Sequence, residues 1–193
     1  MSRRVARAAA AGMAVVMLAG CGNDGNQEQS PEETAASSSS SSAVNEPGEA
    51  TFATPEDADR RDAESTAETA AMMLHSWDTA TDRTQTAAAI RARPLMTDEW
   101  AAEQVEPERN GARGAWLEPT EHEAYSVPTV TPAQSDAAAG DYGADRAAFT
   151  FTVSWTWLGR DGEVIDNDES ETMTIYLERD EAGQWAVAGH TVM

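Results

Sequence analysis

The chain has 193 residues, with 34 Asp and Glu against 13 Arg, no Lys, and a formal net charge of −21. That balance argues against nucleic acid and anionic lipid surfaces as charge-driven partners. A single Cys excludes an intramolecular disulfide, and the length left after a polar N-terminal region suits one domain.

Residues 1–20 read as an export signal. Arg3, Arg4 and Arg7 precede an uncharged run from Ala8 to Gly20, which as a helix spans roughly 20 Å, short of the ~30 Å hydrocarbon core. A cleaved leader therefore fits better than a membrane span. Leu18-Ala19-Gly20-Cys21 closes that run and resembles the lipobox of bacterial lipoproteins. The resemblance implies that the Cys21 thiol carries diacylglycerol and becomes the mature N-terminus, placing the protein on the outer face of the cell membrane; a free Cys after an ordinary signal is the alternative. Two or three acyl chains, at ~0.8 kcal/mol per buried methylene, anchor stably where one is marginal. Past the signal, ten Arg face all 34 acids, a formal net charge of −24. The absence of Lys and the abundance of Ala fit a GC-rich genome and carry no functional reading.

Residues 21–53 read as a lipidated Cys followed by a disordered, Ser- and Glu-rich tether, because the stretch contains almost no large apolar residue to bury. As a flexible coil it reaches about 30 Å. Folding is expected over 54–193. Thr54-Pro55-Glu56-Asp57 has the chemistry of a helix start, and a helix is predicted from Pro55 to about Asp78, with Ala63, Ala67, Ala70, Leu74 and Trp77 as its apolar stripe. Arg60, Arg61, Asp62 and Glu64 read as its solvated face. A second helix is predicted from Arg83 to about Arg93, ended by Pro94, and a short third one capped by Thr97 and carrying Trp100 and Val105. After a loop marked by Pro107, Asn110, Gly111 and Gly114, Trp116 and Leu117 are expected to plug a core edge.

Four strands are predicted, at Glu123 to Val130, Arg146 to Leu158, Thr172 to Glu178 and Gln184 to Val192. Pro128 confines the first to an edge or a bulge. The second alternates strictly. Phe149, Phe151, Val153, Trp155 and Trp157 fall on one face and Thr150, Thr152, Ser154 and Thr156 on the other. Thr172, Thr174 and Tyr176 repeat the polar face in the third strand, opposite Met173, Ile175 and Leu177. The turns Gly159-Arg160-Asp161-Gly162 and Asp180-Glu181-Ala182-Gly183 predict hairpins. The fold class is therefore α+β: N-terminal helices packed on a curved four-stranded antiparallel sheet, preceded by signal peptide and tether.

This order of elements, with the apolar central strand and the closing Gly183-Gln184-Trp185-Ala186-Val187 strand, resembles the cone-shaped nuclear-transport-factor-two-like fold. It is similar in particular to actinobacterial exported members related to mammalian-cell-entry-associated proteins and to the extracytoplasmic assembly domains of conjugation systems. The resemblance covers Thr54 to Met193. It implies either a binding or assembly module, or a cavity enzyme or small-ligand carrier, whose acid or His would project into an apolar pocket.

The residues favour the module, with no catalytic residue, cofactor or metal assigned. The apolar faces of the second and third strands are read as free of ionisable residues, leaving His75 and His190 as the inward titrating candidates, each read first as a satisfied or exposed His, and His122 in a loop or strand start. No Ser-His-Asp order, phosphate-cradling loop or Cys/His metal spacing is present. The acidic run from Asp161 to Glu171 fails as a calcium loop, since counting from Asp166 puts Glu171 where Gly is needed and Leu177 where a bidentate Glu is needed. It reads as a solvated hairpin tip. The hydroxyl face, made of Thr150, Thr152, Ser154, Thr156, Thr172, Thr174 and Tyr176, is the candidate surface for a protein partner or a homodimer.

Overall fold

The structure, a computed structural model, describes residues 48–193 except 112, 113, 139, 141 and 166–168. The signal, Cys21 and the tether up to residue 47 lie outside the described residues, as do Asp166, Asn167 and Asp168 of the acidic run.

The described chain is α+β. Four α-helices, α1 Ala63–Leu74, α2 Thr86–Ala92, α3 Asp98–Glu103 and α4 Leu117–Glu121, precede an antiparallel sheet. Its strands are β1 Tyr125–Ala133, β2 Arg146–Leu158, β3 Val164–Ile165, β4 Ser170–Arg179 and β5 Trp185–Val192. Their order is β1-β2-β4-β5, with the two-residue β3 paired to the end of β2, so the sheet has five strands where four were expected. The extra strand continues the hairpin beyond its tight turn, pairing Trp157 with Ile165 and Leu158 with Val164. Gly159 and Gly162 make that turn. A Cβ at Gly159 would meet Asp161 Oδ1 at 2.5 Å and the His122 Cβ at 2.9 Å, and Gly162 has φ +89°.

The single long first helix is corrected to a short 3-10 turn, Pro55–Asp57, and α1. Asp57 holds the turn by accepting from the Thr54 amide at 2.7 Å. Asp59 and Asp62 then break the run, because short acidic side chains offer nearby amides an alternative to helix bonds. Asp59 accepts from the Arg61 amide, and Asp62 caps α1 through the amides of Glu64 and Ser65. The break turns Arg60 from the expected solvated position onto the sheet. Its carbonyl accepts from the Trp185 amide at 2.8 Å, and its Nε donates to the Trp185 carbonyl at 3.0 Å. Pro94 does close α2, which ends at Ala92 and passes into a 3-10 turn, Arg93–Leu95.

Ala67, Ala70 and Leu74 of α1 form the expected stripe and pack on Phe151, Val153, Met173, Ile175, Leu177 and Val187. Small residues on the helix let large ones from the sheet fill the layer, at ~1.5–3 kcal/mol per large apolar side chain. A second cluster lies at the far end of β2, where Trp77, Trp116 and Trp157 pack with Ala88 and Ala124. Trp116 is a plug as expected. Leu117 is not: it is 61 % exposed, because α4 begins there and turns it outward. Phe52, assigned by composition to the tether, lies edge-on to Tyr125 at 6.4 Å and beneath the Arg91 guanidinium at 5.4 Å.

Candidate partner surface and buried histidine

Direct cross-strand partners place their side chains on the same face of a sheet. The register pairs Thr150 with Thr174, Thr152 with Thr172, Ser154 with Ser170, and on the other side Ser154 with Thr129 and Thr156 with Val127. All seven candidate residues therefore share one face, as expected, with Tyr176 two positions beyond Thr174.

That face is not uniform. Thr150 and Thr174 are 3 % and 1 % exposed, whereas Thr152 and Ser154 are exposed. The segment between β1 and β2 covers the buried end: Ser135 Oγ lies 2.5 Å from Thr150 Oγ1, which lies 2.8 Å from Thr174 Oγ1, and Ser135 also accepts from the Ala138 amide. Thr150 and Thr174 are thus corrected from contact residues to members of an internal hydroxyl chain. Burial of a hydroxyl costs free energy unless it is hydrogen-bonded, and the chain supplies those bonds. At the open end lies a groove of about 290 Å³, lined by Val127, Thr129, Ser154, Trp155, Thr156, Glu169 and Ser170. Four hydroxyls and one carboxylate make it polar.

The opposite face holds an ionisable group that the sequence places in a solvated hairpin tip. Glu171 is in phase with Met173, Ile175 and Leu177, so its carboxylate points to the core layer, where Oε1 lies 2.6 Å from His75 Nε2. The apolar face of β4 therefore does carry an ionisable residue. His75 is the C-cap of α1 and is 2 % exposed. Its Nδ1 lies 2.8 Å from the Ala71 carbonyl, which only accepts, so Nδ1 bears a hydrogen and donates. One further proton is then held between Nε2 and Glu171 Oε1. The bond from His75 lowers the Glu171 pKa against the opposing effect of burial. The lowered value favours the ionised form of Glu171 at this contact. The Trp77 and Trp155 rings flank the imidazole at 5.3 and 5.4 Å.

The other two histidines lie at the surface. His190, on β5, is exposed and meets the Trp100 ring edge-on at 5.4 Å; the protein packed beside it pushes its pKa down, against a smaller upward pull from Glu171. His122 bonds Asp161 at 2.7 Å, and that bond raises its pKa.

Two carboxylates that no sequence pattern singled out anchor the α1–α2 connection, Asp78 to the turn after β2 and Asp82 to α2. Asp78, 6 % exposed, takes a two-pronged contact from Arg160 at 2.9 and 2.8 Å. Burial pushes its pKa up, but the Arg160 bonds, the Ala80 amide and the Arg160 charge outweigh that and leave it lowered. Asp82 pairs with Arg91 at 2.5 and 2.8 Å and accepts from the Asp78 amide. Asp78 and Arg160 are 82 positions apart, and no local pattern links them.

Among the described residues no group of three His, Cys, Asp or Glu side chains is placed to hold a metal ion, and no helix is long and apolar enough to cross a membrane. Compared with known proteins, the chain matches no family model, no curated protein and no solved structure.

Proposed function

We propose that the protein is a lipid-anchored extracytoplasmic binding or assembly module without catalytic activity. Cys21 carries the acyl chains at the outer face of the cell membrane, the tether spans the distance, and the helix-on-sheet domain holds a protein partner. The arrangement of helices on one face of an antiparallel meander supports the finer reading of a nuclear-transport-factor-two-like cone. The observation that carries the functional reading is the open groove beside Ser154, which lies on the sheet face away from the helices and is lined mainly by hydroxyls.

The core layer supports the same reading. His75 spends both ring nitrogens on protein groups and is enclosed by two indoles, which leaves no nitrogen for a substrate. A small-ligand carrier or cavity enzyme is the competing reading, and the observation on its side is the Glu171 side chain, which is 30 % exposed.

A photo-crosslinking residue placed at Ser154 in intact cells should capture one protein partner, and Thr152→Arg or Ser154→Arg should abolish that capture by placing an unpaired, desolvated charge at the contact. His75→Gln should leave it intact. Activity that depends on His75 or Glu171, with an indifferent hydroxyl face, would move the assignment to the cavity enzyme. For the anchor, Cys21→Ser should release the protein or stall its processing, and membrane retention of a fully processed Cys21→Ser variant would end the lipoprotein reading.

A further inference from the structure

The two outer strands of the sheet are finished differently. On β1, the Ser126 amide donates to the Trp77 carbonyl, so Ser126 and every second residue after it direct their backbone groups away from β2. Two of those outward positions are Pro128 and Pro132, which have no N–H to offer. On β5, the Met193 amide donates to the Thr172 carbonyl, which fixes Thr191 and Gly189 as the residues bonded to β4 and turns the backbone groups of His190 and Val192 outward. The start of this edge is occupied. Trp185 bonds to Arg60, and the Val187 carbonyl accepts from the Thr97 amide at 2.8 Å. Among the described residues no such contact reaches His190 or Val192, and no Pro, Lys, Arg, Asp or Glu lies anywhere in β5.

An outward row of backbone donors and acceptors on an exposed strand is a template for pairing, and proteins commonly block it with Pro, charge or cover. Residues 190–193 are all exposed, Val192 by 49 % and Met193 by 72 %. The surroundings select what can pair. Helix α3, packed beside β5, presents exposed Asp98, Glu99 and Glu103, and the Glu171 charge on β4 also acts on His190. The Arg side chains on this side are already engaged: Arg60 with Trp185 and Pro94, Arg93 with the Gln104 carbonyl, and Arg179 over the Trp185 ring. A second copy would oppose acid with acid in a chain of net charge −21.

We propose that the outer edge of β5 at His190 to Val192 accepts an added strand from a partner protein, an extended segment bearing Lys or Arg. Backbone bonds at His190 and Val192 would set its register, and the α3 carboxylates would take its cations. The edge and the hydroxyl groove use different groups, so this contact stands whether or not the groove is used.

The test uses the full chain in detergent and two synthetic ten-residue peptides, one alternating Lys with Val and the other alternating Glu with Val. The Lys peptide should slow hydrogen exchange at the His190 and Val192 amides by tenfold or more, and the effect should fall at high salt. The Glu peptide should have no effect. His190→Pro and Val192→Pro, which copy the device present on β1, should weaken Lys-peptide binding by about tenfold and leave melting within a few degrees, because neither removed amide serves β4. Should a Pro variant unfold, the site of protection in the unaltered chain still decides. Binding that protects amides elsewhere, or that survives both Pro variants in folded form, overturns the proposal. So does concentration-dependent protection of the same two amides without peptide, which would make a second copy the occupant.

Discussion

On the helix side of β2, Phe151, Val153 and Trp157 are no more than 2 % exposed; on the other side Thr150 is 3 % exposed, while Thr152 and Ser154 face solvent. Both faces are buried at the Thr150 end, for different physical reasons. On the apolar face burial follows from area, since any close-packed apolar cover is favourable. On the hydroxyl face burial requires partners, and it stops where the Ser135–Thr150–Thr174 chain stops. The open remainder keeps its hydroxyls exposed and oriented by the sheet.

This contrast predicts graded losses. The largest belongs to Phe151→Ala, which leaves a cavity between α1 and the sheet and should cost about 3–5 kcal/mol in urea unfolding. Trp155→Ala should cost less. Trp155 is only partly buried, and its Nε1 is buried without a hydrogen-bond partner among the described residues, so truncation relieves an unsatisfied group as well as removing contact area. Equal losses at the two positions would break this account of the aromatic end of β2.

Glu171→Leu should come next, at about 1–3 kcal/mol near neutral pH, because it leaves the buried His75 Nε2 facing an apolar group. The sign of its pH dependence follows from the lowered Glu171 pKa. A depressed carboxyl stabilises the folded state above its ordinary value of 4.5 and loses that contribution as pH falls through the folded value. The gap between wild type and variant should therefore close on acidification below pH 4.5. The lowered pKa of His190 adds a loss with the same sign as pH drops below 6.5, and it deepens in the variant, which lacks the upward pull of Glu171. A gap that stays constant from neutral to acid pH would show that the His75–Glu171 contact contributes nothing through charge.

On the hydroxyl face, Thr174→Val keeps the shape and removes one end of the buried chain, so it should cost about 0.5–1.5 kcal/mol. Ser135→Ala should have a similar effect and also loosen the cover, which hydrogen exchange at the Ala138 amide reports. If both prove neutral, the segment between β1 and β2 is held by something other than these hydroxyls.

Strand alternation made most of the sheet legible in advance, since a period of two and turn chemistry at Gly159–Gly162 and Gly183 fix both face and pairing. The same alternation identified the hydroxyl face and, carried two residues further toward the N-terminus of β4, identifies Glu171. Glu171 also ends a run of acids, whose composition points to solvent while its phase points to the core. The break before α1 was less legible, because Asp59 and Asp62 compete with helix bonds only when Arg60 has somewhere to go, and its destination, Trp185, is 125 positions away. The Asp78–Arg160 pair and the cover on Thr150 are long-range in the same sense. Which of two identical threonines on one face is buried depends on a connecting segment whose sequence has no periodicity.

The smallest effect expected is that of Thr152→Ala, and it sharpens the comparison most. Thr152 sits directly between Thr150 and Ser154 on the same face, opposite Thr172, and differs from Thr150 in having no cover. Its hydroxyl is hydrated in both folded and unfolded chains, so its removal should change stability by no more than about 0.5 kcal/mol. Thr150→Ala, two residues away, should cost several times as much, because it removes the link between Ser135 and Thr174. Side chain, strand and backbone are nearly matched between the two sites, which leaves the cover as the variable. A Thr152→Ala loss as large as that of Thr150→Ala would mean that the open end of the face is buried in the working protein, and its occupant could then be found by repeating the pair of measurements across a dilution series.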